Sequence, residues 1–298
     1  MARPHGLTVR RPFRGWDDLH AMQRLCSAIL LAAPGRASVH PGDIAWWAGW
    51  RTDMDELAGS FLLWEDEEEL AGFAAVHDGD LAVFVSPTRT GTTEAVDFED
   101  AALAWASRDD VPVRWVEFED DDAVVRWRDR GFRPTDEAYL NLVCPLIDAH
   151  AAAPGDARVR PIGDDDVADR ASITHAAFEE NEPFAAYTDA YARFRSSPAY
   201  PAGWDLLLRD DGGRPAACCI AWPDPVSRAG TFEPVATHPD LHGHGFGKAV
   251  LTEGLRRFAA AGMTFAIVGV EVGNTPAEAL YRSVGFRPDR MLRAYERS

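Results

Sequence analysis

Apolar residues along this chain alternate between strand-like and helical spacing, and the alternation runs through a similar order twice. Leu7 to Arg11 reads as a strand, Trp16 to Ala33 carries apolar residues at helical spacing, and a further helical stretch carries Trp46, Trp47 and Trp50. Three apolar runs follow, Phe61 to Trp64, Leu70 to Val76 and Leu81 to Ser86, each predicted as a strand at least half buried, with acidic Glu65 to Glu69 at the hairpin tip between the first two. A helix over Val96 to Ser107, a strand over Val113 to Phe118, a short helix over Ala123 to Arg130 and a strand near Tyr139 to Val143 complete the first half.

From Arg158 the order begins again. Arg158 to Pro161 is a strand, Asp164 to Phe178 and Thr188 to Phe194 are helices, and Trp204 to Leu208 with Pro215 to Trp222 form a hairpin turned at Gly212-Gly213. Aligning Gly131-Phe132-Arg133-Pro134 on Gly285-Phe286-Arg287-Pro288 also superposes Val116-Glu117 on Val270-Glu271 and Ala123 on Ala277 without a gap, and at a nearby offset Pro87 falls on Pro239. Such self-similarity predicts a duplicated α/β domain. The small-residue stretch Ile147 to Ala157 serves as the linker, so the expected domains are 1–150 and 151–298.

Length agrees with this division, because 298 residues exceed the usual size of one domain. A net charge of −18 argues against a nucleic acid or an anionic membrane as partner, since both call for a basic surface. It favours a cationic substrate, although solvated acidic faces account for most such charge. Cys26, Cys144, Cys218 and Cys219 show no metal or redox spacing, and the adjacent pair lies in an apolar run, which suits reduced, buried thiols in a cytoplasmic protein. Arg10-Arg11 resembles a twin-arginine signal, but Asp17, Asp18, His20, Gln23 and Arg24 interrupt the apolar core that an export signal needs. No segment is long enough to span a membrane.

The stretch from Thr231 to Lys248, TFEPVATHPDLHGHGFGK, changes the picture from fold to chemistry. A strand runs into a glycine-rich turn that opens a helix, and such a helix start offers free backbone N–H groups and a favourable dipole to an anion. Gly243, Gly245 and Gly247 give G-x-G-x-G, which is neither the G-x-G-x-x-G of dinucleotide folds nor a P-loop. Farther on, GNTPAEALYRSVGF from Gly273 to Phe286 follows a predicted strand, Thr264 to Val272. Thr275 and Glu278 suit a capping box, Pro276 the first helical position and Gly285 the helix stop, so a short helix carrying Tyr281 is expected.

Together these segments resemble the two signature motifs of the GNAT superfamily of acyl-CoA N-acyltransferases over residues ~156 to 298. His238, Pro239, Gly243, Gly245 and Gly247 match the first motif, with His242 where Gln or Arg is usual; Asn274, Ala277, Leu280, Tyr281, Gly285 and Phe286 match the second. The resemblance implies two tandem α/β domains, each a mostly antiparallel mixed sheet flanked by helices, with acetyl-CoA as cosubstrate and no metal. It implies that the backbone of Val235, Ala236 and Thr237 holds the pantetheine and acetyl group, and that the turn His242, Gly243, His244, Gly245, Phe246, Gly247 and Lys248 holds the phosphates, with Asn274 a turn residue that also reaches the cofactor. Tyr281 would protonate the leaving thiolate, and Glu233 would accept the amine proton directly or through water. Pro234 inside this strand points to a bulge.

Opposite these features the first half has Thr90 to Ala95 with Gly91 and Glu94, Trp127 opposite Tyr281 and Asp120 opposite Asn274. An acid at a phosphate site is electrostatically wrong, so the first half is expected to be a degenerate copy. In the second half Glu179, Glu180 and Glu182 lie where the family contacts its acceptor, which suits a small, cationic primary amine. The expectation is a monomeric N-acetyltransferase; the rival reading is a non-catalytic acyl-CoA sensor or scaffold.

Overall fold

A computed structural model of the protein describes residues 8–33, 39–51, 54–66, 69–77, 79–107, 113–119, 122–147, 150 and 155–297. They fall into two compact units: unit 1 takes Met1–Trp47, Arg51–Asn141 and Asp289–Ser298, and unit 2 takes Ala48–Trp50 and Leu142–Pro288. The division lies inside a strand, upstream of the small-residue stretch at 147–157, and the C-terminal residues join the first unit. Among the described residues no helix is long and apolar enough to cross a membrane, and all four cysteines are free and buried.

Unit 1 contains β1 (Val9–Pro12), α1 (Trp16–Ala32), α2 (Pro41–Gly49), α3 (Met54–Ser60), β2 (Phe61–Glu65), β3 (Leu70–His77), β4 (Asp80–Val85), α4 (Thr93–Ala106), β5 (Arg114–Phe118), α5 (Ala123–Asp129) and most of β6 (Phe132–Pro145). The strand order is β1-β2-β3-β4-β5-β12-β6, where β12 (Arg287–Arg297) is the C-terminal strand of the chain. Its residues Leu292 to Glu296 pair antiparallel with Phe118 to Arg114, while β4 and β5 run parallel. Trp115 stacks on Trp127 at 3.8 Å and Trp64 on Phe98 at 4.7 Å, so the core is built on aromatic pairs between sheet and helices. Neither α3 nor β12 stands out in the sequence pattern; charged residues occupy much of β12, and pairing on its flanks supplies what apolar alternation does not.

Unit 2 contains β7 (Val159–Pro161), α6 (Val167–Ala177), α7 (Phe184–Arg195), β8 (Asp205–Arg209), β9 (Pro215–Asp224), β10 (Ala229–Thr237), α8 (Phe246–Ala260), β11 (Phe265–Glu271) and α9 (Thr275–Ser283). Its order is β6-β11-β10-β9-β8-β7, antiparallel from β7 to β10 and parallel between β10 and β11. Strand β9 is buried almost throughout, which is why PAACCIAW reads as an unbroken apolar run. The mixed sheet flanked by helices in each unit agrees with the expected α/β fold.

Two glycines set how closely α8 lies on the sheet. A Cβ on Gly254 would stand 2.3 Å from the Phe232 ring, and one on Gly230 would stand 2.6 Å from the Phe258 ring. Helix and strand each give up a side chain so that the other's phenylalanine can fill the space, with the two rings 5.0 Å apart. The buried positions Gly247, Val250, Leu251, Gly254, Leu255 and Phe258 recur at helical spacing. This packing holds the first turn of α8 at the end of β10.

Candidate active site

The ladder between β10 and β11 ends at Thr231↔Ile267, while the ladder between β10 and β9 continues to Thr237↔Ala217. Beyond Thr231 the two parallel strands therefore part, and Val235, Ala236 and Thr237 lie on the stretch of β10 that has left β11. The β9 ladder skips one residue between Phe232 and Val235, so a bulge sits at Glu233 and Pro234, where the sequence places it. Proline has no N–H to give to a ladder, and this is the position at which none is needed. The Glu233–Pro234 peptide is cis.

Below this opening the chain turns into α8. Gly243 and Gly245 have φ of +79° and +81°, and a Cβ on either would meet nothing within 4 Å. They are glycine for backbone conformation, and the space over them is open. Gly247 has another reason: a Cβ there would lie 2.8 Å from Thr237 Oγ1 and 3.1 Å from Leu280 Cδ2, so it allows α8 to approach both β10 and α9. Gly245 is the N-cap of α8 and supplies no side-chain acceptor, and there is no acid in the first turn. The N–H groups at the start of a helix lack intrahelical partners, and here no carboxylate competes for them. Lys248 is exposed and makes no ion pair among the described residues.

The histidines shape the turn. His238 Nδ1 accepts from the Asp240 N–H at 3.3 Å, His242 Nε2 lies 3.0 Å from the Thr237 oxygen, and His244 Nδ1 lies 3.0 Å from the His242 oxygen. His244 also stacks on Phe246 at 5.9 Å. The side chain of His242 thus ties the turn back to the strand end. Among the described residues no group of His, Cys, Asp or Glu is arranged to hold a metal ion.

Helix α9 starts differently from the sequence expectation. Asn274, not Thr275, is the N-cap: its Oδ1 accepts from the Ala277 N–H at 3.2 Å, which places Pro276 second in the helix. Glu278 is consequently free of the capping box and pairs with Arg282 at 2.7 Å. The Asn274 side chain, one residue earlier, accepts from the third helical N–H, so the helix forms as expected with its start displaced. Tyr281 on this helix is only 8 % exposed, with its ring 5.8 Å from Phe286 in an edge-on contact. Burial first, then the Glu233 carboxylate and the Cys219 thiol, push the Tyr281 phenol above its ordinary value. The phenol therefore stays protonated, and the two residues expected to share the proton transfers lie within electrostatic reach.

Glu180 N donates to the His175 oxygen at 3.1 Å and His175 Nε2 lies 2.8 Å from the Glu182 oxygen, which folds the acidic loop over the end of α6. Burial and the neighbouring Glu182 charge raise the Glu180 carboxyl. Glu179 and Glu182 are exposed.

Unit 1 treats the corresponding turn in the opposite way. Arg89 is fully buried and holds both Asp66 and Glu94, the latter at 2.6 Å, while Thr8 Oγ1 donates to Glu94 at 2.8 Å. Thr92 caps α4 by accepting from the Ala95 N–H at 3.3 Å. The helix start is filled by the chain's own groups. Trp127, opposite Tyr281 in the alignment, is buried in the core; Asp120 lies outside the described residues. Arg89 is the residue sequence reasoning missed here, because its partners lie on separate segments.

Comparison with known proteins agrees with this geometry. Residues 169–286 match the model of the Acetyltransferase (GNAT) family, a range that takes in the turn, Glu233 and Tyr281. A tandem GNAT protein from the clavulanic acid biosynthesis pathway superposes with a TM-score of 0.64 at 14% identity, covering 97% of this chain and 98% of that one. A GCN5-related N-acetyltransferase from Sphaerobacter thermophilus gives 0.59 at 18% identity, with 97% and 95% covered, and a GNAT-family acetyltransferase from Colwellia psychrerythraea gives 0.59 at 14%, with 97% and 100% covered. At these identities the likeness is one of fold, and it extends over 97% of the chain. No curated protein matches.

Proposed function

We propose that unit 2 transfers the acetyl group of acetyl-CoA to the primary amine of a small, cationic molecule by direct attack. The observation that carries this reading is the combination of an uncapped helix start at Gly245, an opened strand at Val235 to Thr237, and a buried, protonated Tyr281 that feels the Glu233 charge.

The residues fit the cosubstrate. Backbone N–H groups from Gly243 to Lys248 hold the phosphates, Val235 to Thr237 hold the pantetheine arm as an added strand would be held, and Asn274 closes the turn beside them. Acetyl-CoA supplies a thioester carbonyl. Glu233 takes the proton from the attacking amine, directly or through a water, as the new C–N bond forms. Backbone N–H groups of the opened strand stabilise the oxyanion. Tyr281 gives its proton to the departing sulfur as the C–S bond breaks. Glu179, Glu180 and Glu182 draw a cationic acceptor towards the site. The chain acts as a cytoplasmic monomer in this proposal, in keeping with its free, buried thiols, and unit 1 is a degenerate copy.

The test is a screen of primary amines with acetyl-CoA and the purified chain, following thiol release. Release that depends on one class of amine supports the proposal. Tight acetyl-CoA binding with no release above the amine-free rate would leave the sensor reading in its place.

A further inference from the structure

A cavity of about 440 Å³ opens in unit 1, lined by Glu119, Arg128, Pro134, Thr135, Asp136, Arg293 and Tyr295, none of them among the residues assigned above. It owes its shape to the C-terminal strand: β12 lies between β5 and β6 and contributes Arg293 and Tyr295. Arg293 is already engaged, since its Nε pairs with Glu119 and its Nη1 donates to the Thr135 oxygen at 2.7 Å. That arrangement fixes one wall.

Three polar groups on the other walls are not engaged. The Arg128 guanidinium is exposed and makes no hydrogen bond or ion pair among the described residues, and the Asp136 carboxylate likewise makes none. Tyr295 is 1 % exposed, yet its hydroxyl has no hydrogen-bond partner among the described residues although it lines the cavity. Burial raises its pKa first, followed by the charge of Glu119, while Arg128 and Arg293 act in the opposite sense, which places the phenol among the charged walls. The phenol is buried except where its hydroxyl opens to the cavity, so that hydroxyl is available to a molecule bound there.

Charge balance narrows the ligand. Arg128 and Arg293 oppose Glu119 and Asp136, so the cavity has no net charge and one uncommitted group of each sign. An anion alone would gain Arg128 but meet Asp136; a cation alone would meet the reverse. A molecule carrying one carboxylate and one ammonium satisfies both, and the volume lies in the range of small-molecule sites.

We propose that this cavity binds a small zwitterion of the α-amino-acid type, its carboxylate on Arg128 with a hydrogen bond from Tyr295, and its ammonium on Asp136. The site shares no residue with the proposed acetyl-transfer cleft and does not depend on the reading of that cleft. The test is calorimetric titration of the full chain with each proteinogenic α-amino acid up to about 10 mM, beside acetate and ethylamine, which each carry one of the two charges. At least one amino acid is expected to bind more than 10-fold more tightly than either control, and Arg128→Gln and Asp136→Asn are each expected to weaken that binding 10-fold or more. Both side chains are at the surface, so both variants keep the fold, which circular dichroism would check, and Arg128→Lys should restore part of the affinity. Absence of binding by every amino acid, equal binding of acetate, or undiminished affinity in Arg128→Gln would each overturn the assignment.

Discussion

Trp222 donates its indole Nε1–H to the backbone oxygen of Glu233 at 2.8 Å, across the point where the β9 and β10 ladder skips a residue. The bulge is therefore pinned from the neighbouring strand, and with it the place from which the Glu233 side chain leaves the sheet. A neutral hydrogen bond of this kind contributes about 1 kcal/mol, but here it also decides where a proposed base stands. Glu233 in turn bears on Tyr281, whose proton it helps to retain.

Removing the Tyr281 hydroxyl tests the proton donor. Tyr281→Phe is expected to lower kcat by about 10²-fold or more with little change in acetyl-CoA affinity, as for loss of a general acid. Turnover at the parent rate would reduce Tyr281 to a packing residue.

The pH profile follows from the direction of the same shift. A phenol above its ordinary value of ~10 remains a proton donor throughout the neutral and mildly alkaline range. The rate of the parent protein should therefore show no descending limb below about pH 10 that Tyr281→Phe removes. A stopped assay across pH 6 to about 10 checks this.

The helix start is tested by charge. Gly245→Asp puts a side chain at a left-handed position and a carboxylate where phosphate is expected, and should abolish acetyl-CoA binding in a titration. Unchanged affinity would show that the turn is not the phosphate site.

One acetyl-CoA per chain is expected, because in unit 1 Arg89, Glu94, Thr92 and Thr8 already fill the corresponding helix start. Calorimetry gives the stoichiometry directly. A second tight site that survives in Gly245→Asp would contradict the view of unit 1 as a degenerate copy.

Stability at acid pH has a separate origin. Asp166 is buried and accepts from Arg160 twice at 2.6 Å, from the Gly163 N–H at 2.7 Å and from Arg209 at 2.9 Å. The Arg160 hydrogen bonds, opposed by burial and aided by Gly163 and Arg209, hold its carboxyl below the usual range. A lowered folded-state value means that this stability is complete above the unfolded value of ~4 and is lost as pH falls through the folded one. Asp166→Asn should cost about 2 kcal/mol at pH 7 in urea unfolding and progressively less in acid. A pH-independent difference would assign the effect to packing.

The sequence by itself determined the local events of the site: Gly243 and Gly245 where the backbone must turn left-handed, Pro234 where a ladder must yield a residue, and Tyr281 on a short helix closed by Gly285. These depend on φ preference and missing donors, which are properties of single residues. Its misplacement of the α9 cap by one residue has the same origin, since Asn274 and Thr275 are both able to cap and only the fold chooses between them. Tertiary structure alone decided which polar groups meet. Arg89 finds Asp66 and Glu94, Trp222 finds Glu233, and Arg293 crosses from the C-terminal strand to Glu119 beside Arg128 and Tyr295. Each of these partnerships joins residues on different elements, where no periodicity links the two and only the paired strands and packed helices bring them within reach.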